Sequence, residues 1–261
     1  MKTSIETLRH DQQGFTLVEL AVVMIIIGLL IGGILKGQEL IVNARVTATA
    51  SQMESMSAAV NGFRDAYSSI PGDMSTAQNR LPNCAAATFC FNGGGDSQIG
   101  LGVGAAAADP AAGNGAQEAS NFFIHLARGE FLTGVSGAAA AMAPGVTHPV
   151  TPAGGVFNVG DRTGPTASSA GFVASNNGVE LTGTMWLTLV SAPATVVATN
   201  NGLLTAQQAA RIDRKLDDGA PDTGSVIASN AGGAVGECVD AGAVYAEGLN
   251  TVGCSLAYSL R

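Results

Sequence analysis

The stretch from Phe15 to Leu35 is apolar throughout, apart from Thr16, Glu19 and the three glycines Gly28, Gly32 and Gly33. About 20 such residues in a row are long enough to cross a bilayer as a helix. A segment that is greasy on every side offers no face to water, and with no soluble core here to bury against it needs lipid or other copies of itself. The preceding residues 1–14 are polar, with Lys2, Arg9 and His10 offset by Glu6 and Asp11. A secretory signal is cut after its apolar segment, behind small residues. Here the small residue at the polar-to-apolar junction is Gly14, in front of the apolar segment. Cleavage between Gly14 and Phe15 would therefore leave that segment in the mature chain.

Glu19 carries the next constraint. A carboxylate in a membrane segment costs about 2.5–3.5 kcal/mol at the helix centre on insertion scales, so it calls for a partner. Removing residues 1–14 would create a cationic amine on Phe15, about one helical turn away. When such helices pack together, the Glu19 of one copy can neutralise the terminal amine of the next.

Gly14 followed by F-T-L-V-E-L resembles the cleavage and methylation motif of type IV prepilins and type II secretion pseudopilins. The resemblance implies a prepilin peptidase that cuts after Gly14 and methylates Phe15, with Glu19 as the assembly glutamate. It also implies an inner-membrane assembly platform and a filament of like subunits as partners. The continuation from Ile27 to Ile41, I-G-L-L-I-G-G-I-L-K-G-Q-E-L-I, is similar to a branch of pilin-like proteins of Gram-negative bacteria. Where many members carry a helix-loosening proline this chain has Lys36, so any local melting must come from glycines.

Gly28 and Gly32, then Gly33 and Gly37, stand four apart, which places each pair on one helix face. Small residues so placed let helices approach closely, and they also loosen a helix, by up to ~1 kcal/mol each against Ala. Beyond residue 36 the apolar positions recur at three- to four-residue steps: Leu40, Ile41, Ala44, Ala48, Met56, Val60, Phe63 and Tyr67. Pro71 and Gly72 end the pattern. The expectation is one helix from Phe15 to about Ser68, roughly 80 Å long. It divides into a membrane and assembly half (15–36) and an amphipathic half (37–70) that a globular head (71–261) covers.

The head reads as α+β, with long loops. Of the 261 residues 35 are Gly, and much of the hydrophobic 46% is Ala. Four cysteines fall as two local pairs, and an even count in an exported segment predicts the disulfides Cys84–Cys90 and Cys238–Cys254. Zinc, the rival, would want C-x₂-C spacing or a nearby histidine. The Gly/Asn loop at 84–99 invites a calcium reading through Asn92 and Asp96. Calcium takes about six to eight oxygens, and a disulfide-pinned turn fits this loop better. Glu118 to Arg128 reads as a helix burying Phe122, Phe123 and Leu126, with His125 next to that face, packed or at the solvent edge rather than a ligand. Short strands are expected near 155–159 and over 179–191, where Trp186 belongs to the core. A second helix starts at the N-cap Thr205, turns Ile212 and Leu216 inward and stops before Gly219. Its end gathers Asp213, Asp217 and Asp218, which read as a polar terminus before the Pro221 turn, with a metal site as the alternative. The tail from Cys254 to Leu260 alternates and suits a closing strand.

A net charge of −8 and no run of Lys or Arg exclude a nucleic-acid surface. No nucleophile elbow, zinc-protease, P-loop or paired C-x-x-C motif occurs, and three histidines leave little for acid–base chemistry. The expected activity is structural: a membrane-held precursor, its head in the periplasm, that polymerises into a surface pilus and adheres. A periplasmic pseudopilus is the first alternative. A signal-anchored binding protein that keeps its leader is the second.

Overall fold

The computed structural model describes residues 15–85, 89–95, 97, 99, 116–137, 143–160, 185–191, 202–230, 237–240 and 242–260. The chain divides into two compact units, one ending at Ala44 and one beginning at Arg45. Helix α1 runs from Leu17 to Tyr67. Its first stretch, within the N-terminal unit, contains no proline, and its Leu, Ile, Val and Met side chains face outward. Every large apolar residue from Leu17 to Leu35 is exposed, Leu17 at 86% and Leu29 at 75%. Lys36 and Glu39 close that stretch with an ion pair of 2.6 Å, three residues apart.

In the second unit α1 becomes one-sided. It buries Val46, Thr49, Ala50, Met53, Met56, Ala59, Val60 and Phe63, a stripe at three- and four-residue steps. This corrects the expected stripe. Leu40, Ile41, Ala44 and Ala48 are exposed, and the buried face starts at Val46. The face includes the polar Thr49, whose Oγ1 accepts the N–H of Ala153 at 3.2 Å. The helix ends where Ser68 turns left-handed, φ 52°, its N–H still bonded to the Arg64 carbonyl at 2.8 Å. Gly72 follows at φ +89°, where a Cβ would lie 2.4 Å from the Glu118 carbonyl oxygen. No side chain fits there.

A short α2 (Ala77–Arg80) precedes α3 (Ala116–Arg128), which buries Phe122, Phe123 and Leu126 completely. Gly129 follows α3, but the left-handed residue is Glu130, φ 65°. The Phe131 N–H bonds back to the Leu126 carbonyl at 2.9 Å, the longer bond of a Schellman end. Phe131 then packs edge-on against Phe63, ring centroids 6.0 Å apart.

The remaining elements are β1 (Val156–Gly160), β2 (Trp186–Val190), β3 (Leu204–Thr205), α4 (Ala206–Leu216), β4 (Val226–Ser229) and β5 (Val252–Ser259). They form an antiparallel, curled sheet in which β1 pairs with β2 and β2 with β5, while β3 and β4 also pair with β5. The register sets Leu187 opposite Tyr258 and Val226 opposite the same residue from the other side. The tail strand is therefore central rather than closing, because it is the partner of three others. All five residues of β2 are buried, so its apparent alternation does not mark a solvent face. Leu187, Leu189, Val226, Ala228 and Leu256 join α1 and α3 in the main core. Trp186, Ile227 and Ala257 form a small second cluster on the opposite face of the sheet. The fold class is mixed α+β: a long N-terminal helix and a head built on an antiparallel sheet.

Candidate functional site

The N-terminal stretch is the part of the chain that its own fold leaves uncovered. Phe15 is 83% exposed and the helix following it has an 18-residue window of mean hydropathy 2.7, none of it buried. By length and composition this helix can cross a membrane. Gly28, Gly32, Gly33 and Gly37 have no atom within 4 Å of an added Cβ. Among the described residues, nothing beyond the local helix backbone requires glycine at these four positions.

At the start of the helix, Glu19 is tied to Thr16. Its Oε2 accepts the Thr16 N–H at 2.9 Å and the Thr16 hydroxyl at 2.8 Å, while the Glu19 N–H bonds to Thr16 Oγ1 at 3.3 Å. This is a capping box, T-x-x-E, in which two otherwise unpaired helix-start N–H groups find acceptors. Thr16 was legible as part of that signature; Glu19 alone draws attention for its charge and hides the cap. The carboxylate therefore has local donors in the isolated subunit and remains at the exposed end of the helix. Gly14, on the other side of the expected cleavage bond, lies outside the described residues.

Residues 9–35 match the family model described as the prokaryotic N-terminal methylation motif. That is the type IV pilin/pseudopilin signature. Comparison with curated proteins and with solved structures returns no match. The motif implies a processed subunit of the pilin or pseudopilin type. The apolar helix beside it fits membrane anchoring before assembly.

The head holds the other sequence candidates. Cys84 is bonded to Cys90 and Cys238 to Cys254, each with a Cα–Cα separation of 4.9 Å. His125, distant in sequence, comes within 4.8 Å of the Cys84 and Cys90 sulfurs. Neither sulfur is a free thiolate, and both ring nitrogens are occupied. Nδ1 accepts the Gly72 N–H at 2.9 Å, which leaves Nε2 to donate to the Phe91 carbonyl at 2.8 Å. His125 is fully buried, the packed one of the two expected placements, and desolvation pushes its pKa down to about 4. Sequence reasoning missed its role as the tie between the 71–73 turn, the disulfide loop and α3. Asn92 uses its Oδ1 to accept the Gln78 N–H at 2.9 Å, and Asp96 lies outside the described residues.

Asp213, Asp217 and Asp218 do converge, each offering an oxygen within 4.8 Å of the others. Their oxygens already hold the chain. Asp213 accepts the Tyr245 hydroxyl at 2.8 Å and the Gly219 N–H at 3.3 Å. Asp217 accepts the N–H groups of Ser225 and Val226. Asp218 accepts the Ala220 N–H at 2.9 Å and the Thr223 hydroxyl at 2.6 Å. Burial raises the Asp213 pKa to about 6, outweighing the Tyr245 hydrogen bond. Hydrogen bonds lower that of exposed Asp218, chiefly the one from Thr223. The arrangement is a helix terminus that folds the 217–226 turn against β4.

Proposed function

We propose that this chain is the structural subunit of a type IV pilus-like filament. Prepilin peptidase cuts after Gly14 and methylates Phe15. The 15–36 helix holds the subunit in the inner membrane with its head in the periplasm, and an assembly platform then adds it to the filament. Glu19 exchanges its Thr16 donors for the cationic amine of a neighbouring Phe15. The supporting observation is the helix from Leu17 to Leu35, apolar on all sides and uncovered by its own fold, with one carboxylate at its start. Copies of the same helix supply both what the apolar surface lacks and what the charge needs.

Mass spectrometry of the native chain tests the processing: the expected species begins at methylated Phe15, and a chain still beginning at Met1 removes the proposal. Glu19→Ala is expected to fractionate with the membrane yet give no sheared filaments, and wild-type filament yield from that variant would refute the pairing. A pseudopilus is the outcome if antibodies to the head label only the periplasm and never the cell surface.

A further inference from the structure

A polar cleft of about 620 Å3 opens in the head where α1 ends and α2 follows, lined among others by Arg64, Ser69, Ser75, Thr76, Arg80 and Ser97. Its size falls within the ~300–1,000 Å3 of small-ligand sites, but its wall offers hydroxyls and guanidinium groups where most such sites are apolar. Arg80 is fixed in place: one Nη1 bond of 2.9 Å goes to the Tyr67 carbonyl, and its guanidinium carbon stands 5.5 Å from the Tyr67 ring centroid. That anchors the planar fork and leaves most of its donors for another acceptor. The Arg64 guanidinium, exposed on the last turn of α1, has no ion pair or hydrogen bond with another described residue. The acid on the same wall, Asp73, is buried, and its oxygens accept the N–H groups of Gly95 and Ser97. Its charge is thus directed into the loop that forms the cleft's far side. In a chain of net charge −8, two guanidinium groups share a hydroxyl-lined cleft, and among the described residues no carboxylate is paired with either of them.

We propose that this cleft binds an acidic saccharide, a carboxylated or sulfated sugar of an extracellular polysaccharide. The anionic group lies between Arg64 and Arg80, where charge-assisted hydrogen bonds are strongest. The ring hydroxyls meet Ser69, Ser75, Thr76 and Ser97. The site is independent of the filament reading, since every residue in it belongs to the second unit, beyond the membrane and assembly half of α1.

The test is calorimetric titration of the full chain, in non-ionic detergent, with oligogalacturonate, dextran sulfate and neutral dextran. Saturable binding to at least one acidic saccharide and none to neutral dextran is expected. Arg64→Ala and Arg80→Lys should each weaken it about tenfold or more. Lys215→Ala, an exposed charge on α4, should leave it unchanged. Arg80→Lys keeps the charge, and thermal melts without ligand verify that each variant is folded. The proposal is overturned if neither acidic saccharide binds or if the two arginine variants bind like wild type. It is equally overturned if inorganic sulfate of the same charge concentration displaces the saccharide fully, since the site would then recognise charge alone.

Discussion

At the scale of single residues, several buried polar groups of the head hold separate segments together, and His125 has the most demanding task. It joins three segments through two backbone bonds and lies parallel to Phe63, ring centroids 6.5 Å apart. His125→Phe keeps the ring and its packing but strands the Gly72 N–H and the Phe91 carbonyl in the interior. Each unsatisfied group costs about 1–3 kcal/mol, so urea denaturation of the full chain in detergent should show a loss of about 2–6 kcal/mol. A loss below ~1 kcal/mol would mean that water already reaches these groups. None of this could be read from the sequence, because residue type alone places a histidine at a helix edge as readily as inside. The same holds for Thr49: its hydroxyl serves the Ala153 N–H, so the buried stripe passes through a position that a hydrophobic pattern skips.

The elements show where legibility ends. The long helix was readable over its whole length, because an apolar run followed by three- and four-residue spacing admits no other element, and Pro71 with Gly72 marks its limit. The start of its buried face was not readable, because Leu40 and Ile41 are as apolar as Val46 and only the position of the head distinguishes them. Helix α4 was legible to the residue at its start, where Thr205 and Gln208 form a reciprocal capping box. Strand β5 was legible as a strand, but pairing is non-local, so its central place was not. That place makes the Cys238–Cys254 bond a constraint on the strand to which three others pair. Its 16-residue separation predicts about 3 kcal/mol of stabilisation, against about 2 for the 6-residue Cys84–Cys90 loop. Cys238→Ser/Cys254→Ser should therefore lower the melting temperature more than Cys84→Ser/Cys90→Ser, and the reverse order would show that β5 does not limit the fold. In the N-terminal stretch the glycines give the complementary test. Gly28→Ala/Gly32→Ala meets no atom within 4 Å and adds helix propensity, up to ~1 kcal/mol per site. The variant is expected to insert and fold normally but to yield fewer filaments. An undiminished yield would show that the helices do not pack through these faces.

For the molecule as a whole, acid stability is decided by buried groups that act in opposite directions. His125 and His148 are both buried, and desolvation lowers each pKa to about 4 from 6.5. Between those values the unfolded chain holds the extra protons, so each histidine makes stability rise with pH, by about 1.4 kcal/mol per unit. Asp213 is also buried, but it is a carboxyl raised from 3.8 to about 6. Between those values the folded state holds the extra proton, so its contribution falls as pH rises, by the same amount per unit. From pH 4 to 6 two rising slopes meet one falling slope, and the net gain is about 1.4 kcal/mol per unit. Asp213→Asn keeps an acceptor for the Tyr245 hydroxyl while removing the titration. It should roughly double the steepness over that interval, and above pH 6.5 the slope should level off in both proteins. Urea midpoints measured at half-unit steps from pH 4 to 7 resolve the difference. Parallel curves for wild type and Asp213→Asn would show that the carboxyl already ionises near its ordinary value and that the α4 terminus is open to water. A head with the expected curve keeps its packing at neutral pH and loosens in acid through its two histidines, with Asp213 opposing the loss.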